Sequence, residues 1–182
     1  MIDFENYPII AAIRCEEDFD IALTGEAQAI FMLSSNLLTV AEHIEQAHKA
    51  GKLLYVHMDF IHGLSNDADG VKYLKTKGVD GIISTRTNVI ATAAECGISS
   101  VQRFFMLDSR SVDTALETIS HSKAEMVEIM PGIATKAIEE IKRKVHIPII
   151  AGGLIDKKEE IFAALGAGAS MVSTGKKELW NM

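Results

Sequence analysis

At 182 residues the chain has the length of one domain, with 48% apolar and 24% charged residues, both ordinary for a globular protein. That composition excludes a mainly disordered chain, and no run approaches the roughly 18 apolar residues of a membrane-spanning helix. A net charge of −7 argues against wholesale nucleic-acid binding and leaves a local basic patch as the only route to it.

The N-terminus, MIDFENYP, carries acidic residues where a signal peptide would carry lysines, so a cytoplasmic protein with no membrane partner is expected. Short apolar runs then recur at residues 9–13, 27–33, 53–58, 81–84, 101–107, 126–130, 147–151 and 169–173. Most are apolar on both parities, the pattern of strands buried on both faces of a parallel sheet. Between them, residues 36–50, 66–77, 87–96, 111–121, 134–145 and 157–165 have helical spacing. Gly51, Gly78, Gly97 and Gly166 supply stops to four of these segments. Eight strand–helix units in one undivided chain predict a compact single-domain (β/α)8 TIM-barrel-like fold over residues 1–182. An open doubly wound sheet gives the same rhythm, but eight units suit closure better. The tail, residues 176–180, carries the only tryptophan and is expected to pack as a short terminal helix.

In a parallel barrel the chemistry sits where the strands end and their following loops begin. Arg14, Cys15 and Glu16 follow the first strand; Glu16 and Glu17 equally suit the first turn of a helix. Cys15 and Cys96 have no metal-like or redox-like spacing and read as free thiols, and no metal site is expected. His57 and Asp59 end the third strand on one parity and should point the same way, inward and upward. Asp59 reads either as a site carboxylate or as a loop-holding partner of a nearby arginine. Gln102 and Arg103 sit side by side in an apolar strand, so only one faces the barrel interior. Arg103 is the better inner residue, because Glu128 in the next strand offers it a partner and a buried charge needs one. Gly152-Gly153 after the seventh strand and Ser173-Thr174-Gly175 after the eighth have the composition of a phosphate cradle. Glycines let backbone N–H groups approach an anion and hydroxyls add donors. Lys72, Lys75 and Lys77, and the run 142–144, read as solvated helix faces.

Several segments resemble motifs of one family. Val56-His57-Met58-Asp59-Phe60-Ile61-His62-Gly63-Leu64 is similar to its "vHiDli.GL", and residues 80–86 to its "DGIIST" followed by a basic residue. Residues 101–109 are similar to "iQRlFliDS", 128–133 to "iEilPGi" and 148–155 to "PiIAGGLI". The chain thus resembles, over nearly its whole length, the glycerol uptake operon antiterminator regulatory proteins, the GlpP group. The resemblance implies a (β/α)8-like fold, binding of glycerol 3-phosphate, and ligand-dependent binding to leader mRNA that lets transcription pass a terminator. It implies no turnover and no cofactor beyond that effector, and it is compatible with a homo-oligomer. The expected ligand residues are Asp59, Arg103, Glu128, Gly152, Gly153, Ser173, Thr174 and Gly175, with Arg14, His57 and Arg86 as further candidates. Asp59 and Glu128 would accept from the glycerol hydroxyls, and Lys157 and Lys158 at the rim would contact RNA. Two departures are modest: residues 11–14 read Ala-Ala-Ile-Arg where a proline is common, and Gly175 stands where serine is common. The alternative is a small phosphate-ligand barrel enzyme of lyase or isomerase type using Asp59, His57 and Glu128 as acid and base. A Schiff-base mechanism has no evident nucleophile, because no strand-end lysine precedes Lys176.

Overall fold

Apolar runs buried on both sides become the inner wall of the molecule, and the amphipathic segments between them become its outer layer. The computed structural model describes residues 6–182. In chain order the strands are β1 (Ile9–Ile13), β2 (Ala29–Met32), β3 (Ser35–Asn36), β4 (Leu53–His57), β5 (Ile61–His62), β6 (Gly81–Ser84), β7 (Ser99–Phe105), β8 (Met126–Met130), β9 (Ile149–Gly152) and β10 (Met171–Thr174). The helices are α1 (Glu16–Thr24), α2 (Val40–Lys49), α3 (Ala68–Thr76), α4 (Thr87–Glu95), α5 (Ser109–His121), α6 (Thr135–Lys144) and α7 (Lys158–Gly166). Eight strands close a parallel barrel in the order β1-β10-β9-β8-β7-β6-β4-β2, the (β/α)8 architecture that the sequence predicts.

Strand alternation divides the core in two. Ile10, Phe31, Tyr55, Ile83, Val101, Met126, Ile150 and Met171 fill the barrel interior. Residues of the other parity, such as Ile30, Leu54, Ile82 and Val127, pack outward against the helices in the larger cluster. Local capping sets helix starts. Asp67 accepts from the backbone N–H groups of Asp69 and Gly70 to begin α3, and Asp108 and Ser111 form a reciprocal capping box on α5.

Two elements depart from expectation, and the tail packs as a short helical turn as expected. The predicted helix 36–50 begins only at Val40, because Asn36 turns its Oδ1 to the N–H groups of Leu38 and Thr39. The released residues of β3 instead pair in parallel with β5, forming a two-stranded ladder outside the barrel. The tail closes as a single 3-10 turn, Lys177–Leu179, followed by a buried Trp180 whose indole N–H donates to the Thr174 carbonyl at 2.7 Å. Among the described residues, no helix is long and apolar enough to cross a membrane.

Candidate functional site

The C-terminal ends of β1, β7, β8, β9 and β10 enclose a cavity of about 320 Å³. Its wall includes Arg14, Arg103, Glu128, Gly153, Ser173, Thr174 and Gly175. The β7–β8 register sets Arg103 directly opposite Glu128. Arg103 Nε donates to Glu128 Oε2 at 2.6 Å, and Ser173 Oγ donates to Glu128 Oε1 at 2.6 Å. Arg103 shares its strand face with Val101 and points into the barrel. Gln102 points outward, donating to Thr87 Oγ1 and accepting from Ser122 Oγ. Glu128 is 1% exposed and Arg103 7%. The carboxylate is therefore a nearly buried part of the cavity wall and acts chiefly through the guanidinium it holds, a charge-assisted contact of the strong kind.

Backbone conformation shapes the opposite lip. A Cβ on Gly152 would lie 2.2 Å from Glu128 Oε1 and 2.6 Å from Ser173 Oγ, so the carboxylate–serine pair requires glycine there. This also places Gly152 under the floor rather than on the wall. Gly153 (φ 77°) and Leu154 (φ 58°) are both left-handed, and together they turn the chain along the cavity edge. The N–H of Gly132 donates to the carbonyls of Gly152 and Gly153, fastening the loop after β8 to the loop after β9. Thr174 Oγ1 donates to the Ile155 carbonyl at 2.7 Å and accepts from the Lys176 N–H. The hydroxyl protons of Ser173 and Thr174 thus go to protein acceptors, so these side chains build the wall rather than offer free donors. Asp18, also on the wall, is held below the usual carboxylate range by the ammonium of Lys177.

Asp59, His57 and Arg86 gather elsewhere. They form a second cluster at the ends of β4 and β6, outside the lining of the cavity. The parity argument fails for Asp59 because the chain leaves the extended conformation after His57 and makes a 3-10 turn, Met58–Phe60. Asp59 therefore swings toward β6. Its Oδ1 accepts from Ser84 Oγ at 2.7 Å, and its Oδ2 accepts from the N–H and hydroxyl of Thr85, each at 2.9 Å. Arg86 Nε stands 3.6 Å from Oδ1. Burial alone would raise the Asp59 carboxyl, but the Thr85 and Ser84 donors outweigh it and hold the pKa below its ordinary value. His57 does face the barrel interior. It is buried, and neither ring nitrogen has a hydrogen-bond partner. Burial, helped by the nearby Arg103 charge, pushes its pKa down to about 4, so the ring is neutral at pH 7.

Lys157 and Lys158 are exposed at the start of α7, on the rim shared with the cavity. Lys142, Arg143 and Lys144 end α6 and therefore lie toward the opposite end of the barrel. Sequence reasoning missed Asp18, Leu154 and Asp156 as wall residues. The Gly-Gly pair signals a turn, but nothing in a leucine signals a left-handed backbone.

The model of the glycerol-3-phosphate responsive antiterminator family matches residues 9–180. The chain belongs to that family. Within this antiterminator family it is similar to the glycerol uptake operon antiterminator regulatory protein of Listeria monocytogenes. The two share 33% identity with a TM-score of 0.93, over 98% of this chain and 97% of that one. It is also similar to a glycerol uptake operon antiterminator-related protein of Thermotoga maritima, at 32% identity and a TM-score of 0.87, over 97% and 99% of the two chains. The uncharacterized protein YgcP of Escherichia coli K12 is 31% identical, covering 96% of this chain and 92% of that protein.

Proposed function

We propose that the cavity at the barrel mouth binds glycerol 3-phosphate, and that occupancy controls binding to the leader mRNA of glycerol-utilisation genes. The chain would act there as a cytoplasmic transcription antiterminator without turnover or cofactor. The observation that carries this reading is a guanidinium held at the cavity floor, Arg103 on Glu128, facing a left-handed glycine lip. The phosphate meets the backbone of Gly153, Leu154 and Gly175 together with the exposed Arg14. The free edge of the Arg103 guanidinium takes the remaining oxygens, with Glu128, Ser173 and Gly152 keeping it in place. A regulator is favoured over an enzyme because no lysine lines the cavity, and because His57 and Asp59 lie outside its lining.

Coupling to RNA follows from continuity. The loop 153–156 is cavity wall, and it runs directly into Lys157 and Lys158. A ligand that orders this loop favours the arrangement that presents both lysines to phosphates, which is the differential affinity a switch requires. Calorimetry with glycerol 3-phosphate, followed by leader-RNA binding with and without ligand at two salt concentrations, tests the reading. Gly153→Val should abolish ligand binding while the fold persists, because a valine is strained at this φ and its Cβ would meet the Met130 methyl at 2.7 Å. Lys157→Ala with Lys158→Ala should weaken RNA binding and flatten its salt dependence, whose slope is near 0.7 per single-strand contact. Equal RNA affinity with and without ligand, or conversion of the ligand to a product, would overturn the proposal.

A further inference from the structure

The His57–Asp59–Arg86 cluster contributes nothing to the cavity wall, yet its members are tightly arranged. What they support lies outside them. The His57 ring packs against Phe60 with centroids 4.7 Å apart. Asp59, itself pinned by Ser84 and Thr85, holds the Arg86 guanidinium. Phe60 is 56% exposed, and the Arg86 side chain is likewise 56% exposed. On the next strand, Phe105 ends β7 on the same face as Arg103 and is 52% exposed.

These three residues follow or end β4, β6 and β7, which are consecutive neighbours in the barrel. The rim beyond these strand ends therefore carries a ring, a guanidinium and a ring in the order of the strands. Single exposed apolar residues are ordinary, but two phenyl rings at strand ends on either side of a positioned cation narrow the partner. The carboxylate that holds Arg86 lies below it and is occupied by other donors, so the outer surface of the row is cationic. Beside Phe105 runs a groove lined by Arg110 and Asp108, with the Ser111 and Thr114 hydroxyls donating to the Asp108 and Arg110 carbonyls, so Arg110 is its cation for a sugar–phosphate chain.

We propose that Phe60, Arg86 and Phe105 form a stacking platform for unpaired bases of RNA. His57 and Asp59 act as positioning residues beneath it. Base faces stack on phenyl rings and on a planar guanidinium, whereas a duplex hides them. This inference rests on the RNA-binding reading above and gives it a face and a mode. It also links the two regions of the mouth, because Phe105 stands two residues beyond Arg103 on one strand face.

The test uses the leader transcript of the glycerol-utilisation genes, with saturating glycerol 3-phosphate. Phe60→Ala and Phe105→Ala should each weaken RNA binding about tenfold or more. Phe60→Tyr and Phe105→Tyr should stay within about twofold of the parent, because they keep the ring face. Phe60→Leu and Phe105→Leu should behave like the alanine variants. Since stacking releases no counterions, the salt slope should not change in any phenylalanine variant. Calorimetric affinity for glycerol 3-phosphate should be unchanged throughout. RNA binding that survives both alanine substitutions, or that leucine restores, would overturn the platform while leaving the antiterminator reading intact. So would a parent dimer that the Phe60→Ala or Phe105→Ala variant dissociates, which would make this row an interface between copies. Failure of the unmodified protein to bind the transcript at all would instead remove the RNA-binding reading and the platform with it.

Discussion

Removing Arg103 probes the element on which the candidate site rests. In Arg103→Met the buried Glu128 loses the donor to Oε2 and keeps only Ser173 on Oε1. Deleting one partner of a buried ion pair costs about 3–5 kcal/mol, chiefly because a charge is left uncompensated. The surviving Ser173 bond places Arg103→Met near the low end, at about 3 kcal/mol. Glu128→Gln should cost less, about 1–2 kcal/mol, since Arg103 keeps a neutral acceptor and reaches the cavity. If the contact acts as a buried pair, the double variant should fall short of the sum by about 2 kcal/mol. Urea unfolding of the four proteins, followed by circular dichroism at pH 7, measures this coupling. A loss of 3 kcal/mol is large against the roughly 5–15 kcal/mol that holds a domain folded, so the midpoint should move visibly. A coupling energy below about 0.5 kcal/mol would refute the reasoning, because it would place the pair among solvent-screened surface contacts.

Other expectations follow from single features. Gly152→Ala drives a methyl into Glu128 and Ser173, and should destabilise by about 1–3 kcal/mol while abolishing ligand binding; a normal midpoint and affinity would show that the network is loose. Leu154→Gly relieves a left-handed leucine worth about 1–2 kcal/mol, of which about 0.5–1 kcal/mol returns as glycine's unfolded-chain entropy. A small rise in urea midpoint is therefore expected, and a fall would mean that the exposed side chain makes contacts worth more than the strain. His57 gives a pH signature. Its folded pKa of about 4 lies below the ordinary 6.5, so the unfolded chain binds more protons between those values. That contribution is complete above pH 6.5 and is lost as pH falls toward 4, amounting to roughly 2 kcal/mol by pH 5. The pH 7 to pH 5 drop in stability should shrink by that amount in His57→Phe, and an identical drop would show that other groups carry the acid sensitivity.

The barrel strands were legible because burial on both faces writes itself into composition. Runs such as Gly81–Ser84 and Met126–Met130 form strands at the predicted residues. The β3–β5 ladder was not legible, since two residues per strand carry no period and Ser35-Asn36 looks like a helix start. Parity alone left Gln102 and Arg103 undecided, and the inner position of Arg103 becomes definite only in the register with Glu128. Asp59 shows the limit of alternation, which ends with the strand; one 3-10 turn was enough to turn a carboxylate away from the cavity and onto the end of β6. The hydroxyls of Ser173 and Thr174 were visible as types, but their commitment to Glu128 and Ile155 depends on contacts between distant strands. Exposed Phe60 and Phe105 sit in apolar motifs that read as core, and only their solvent exposure distinguishes them.

The barrel is zipped where its first and last strands meet, and the tail clasps that seam. The Asn181 side chain accepts from the Glu26 N–H at 2.9 Å, while the Trp180 indole is fastened to the carbonyl of Thr174. Thr174 is at once cavity wall on one side and anchor of the sole indole on the other. The molecule therefore carries an intrinsic fluorophore one residue removed from the cavity at the barrel mouth, shielded from quenchers as long as the seam stays shut. Emission colour and acrylamide accessibility of this chromophore give an unlabelled optical gauge of breathing at the β1–β10 junction.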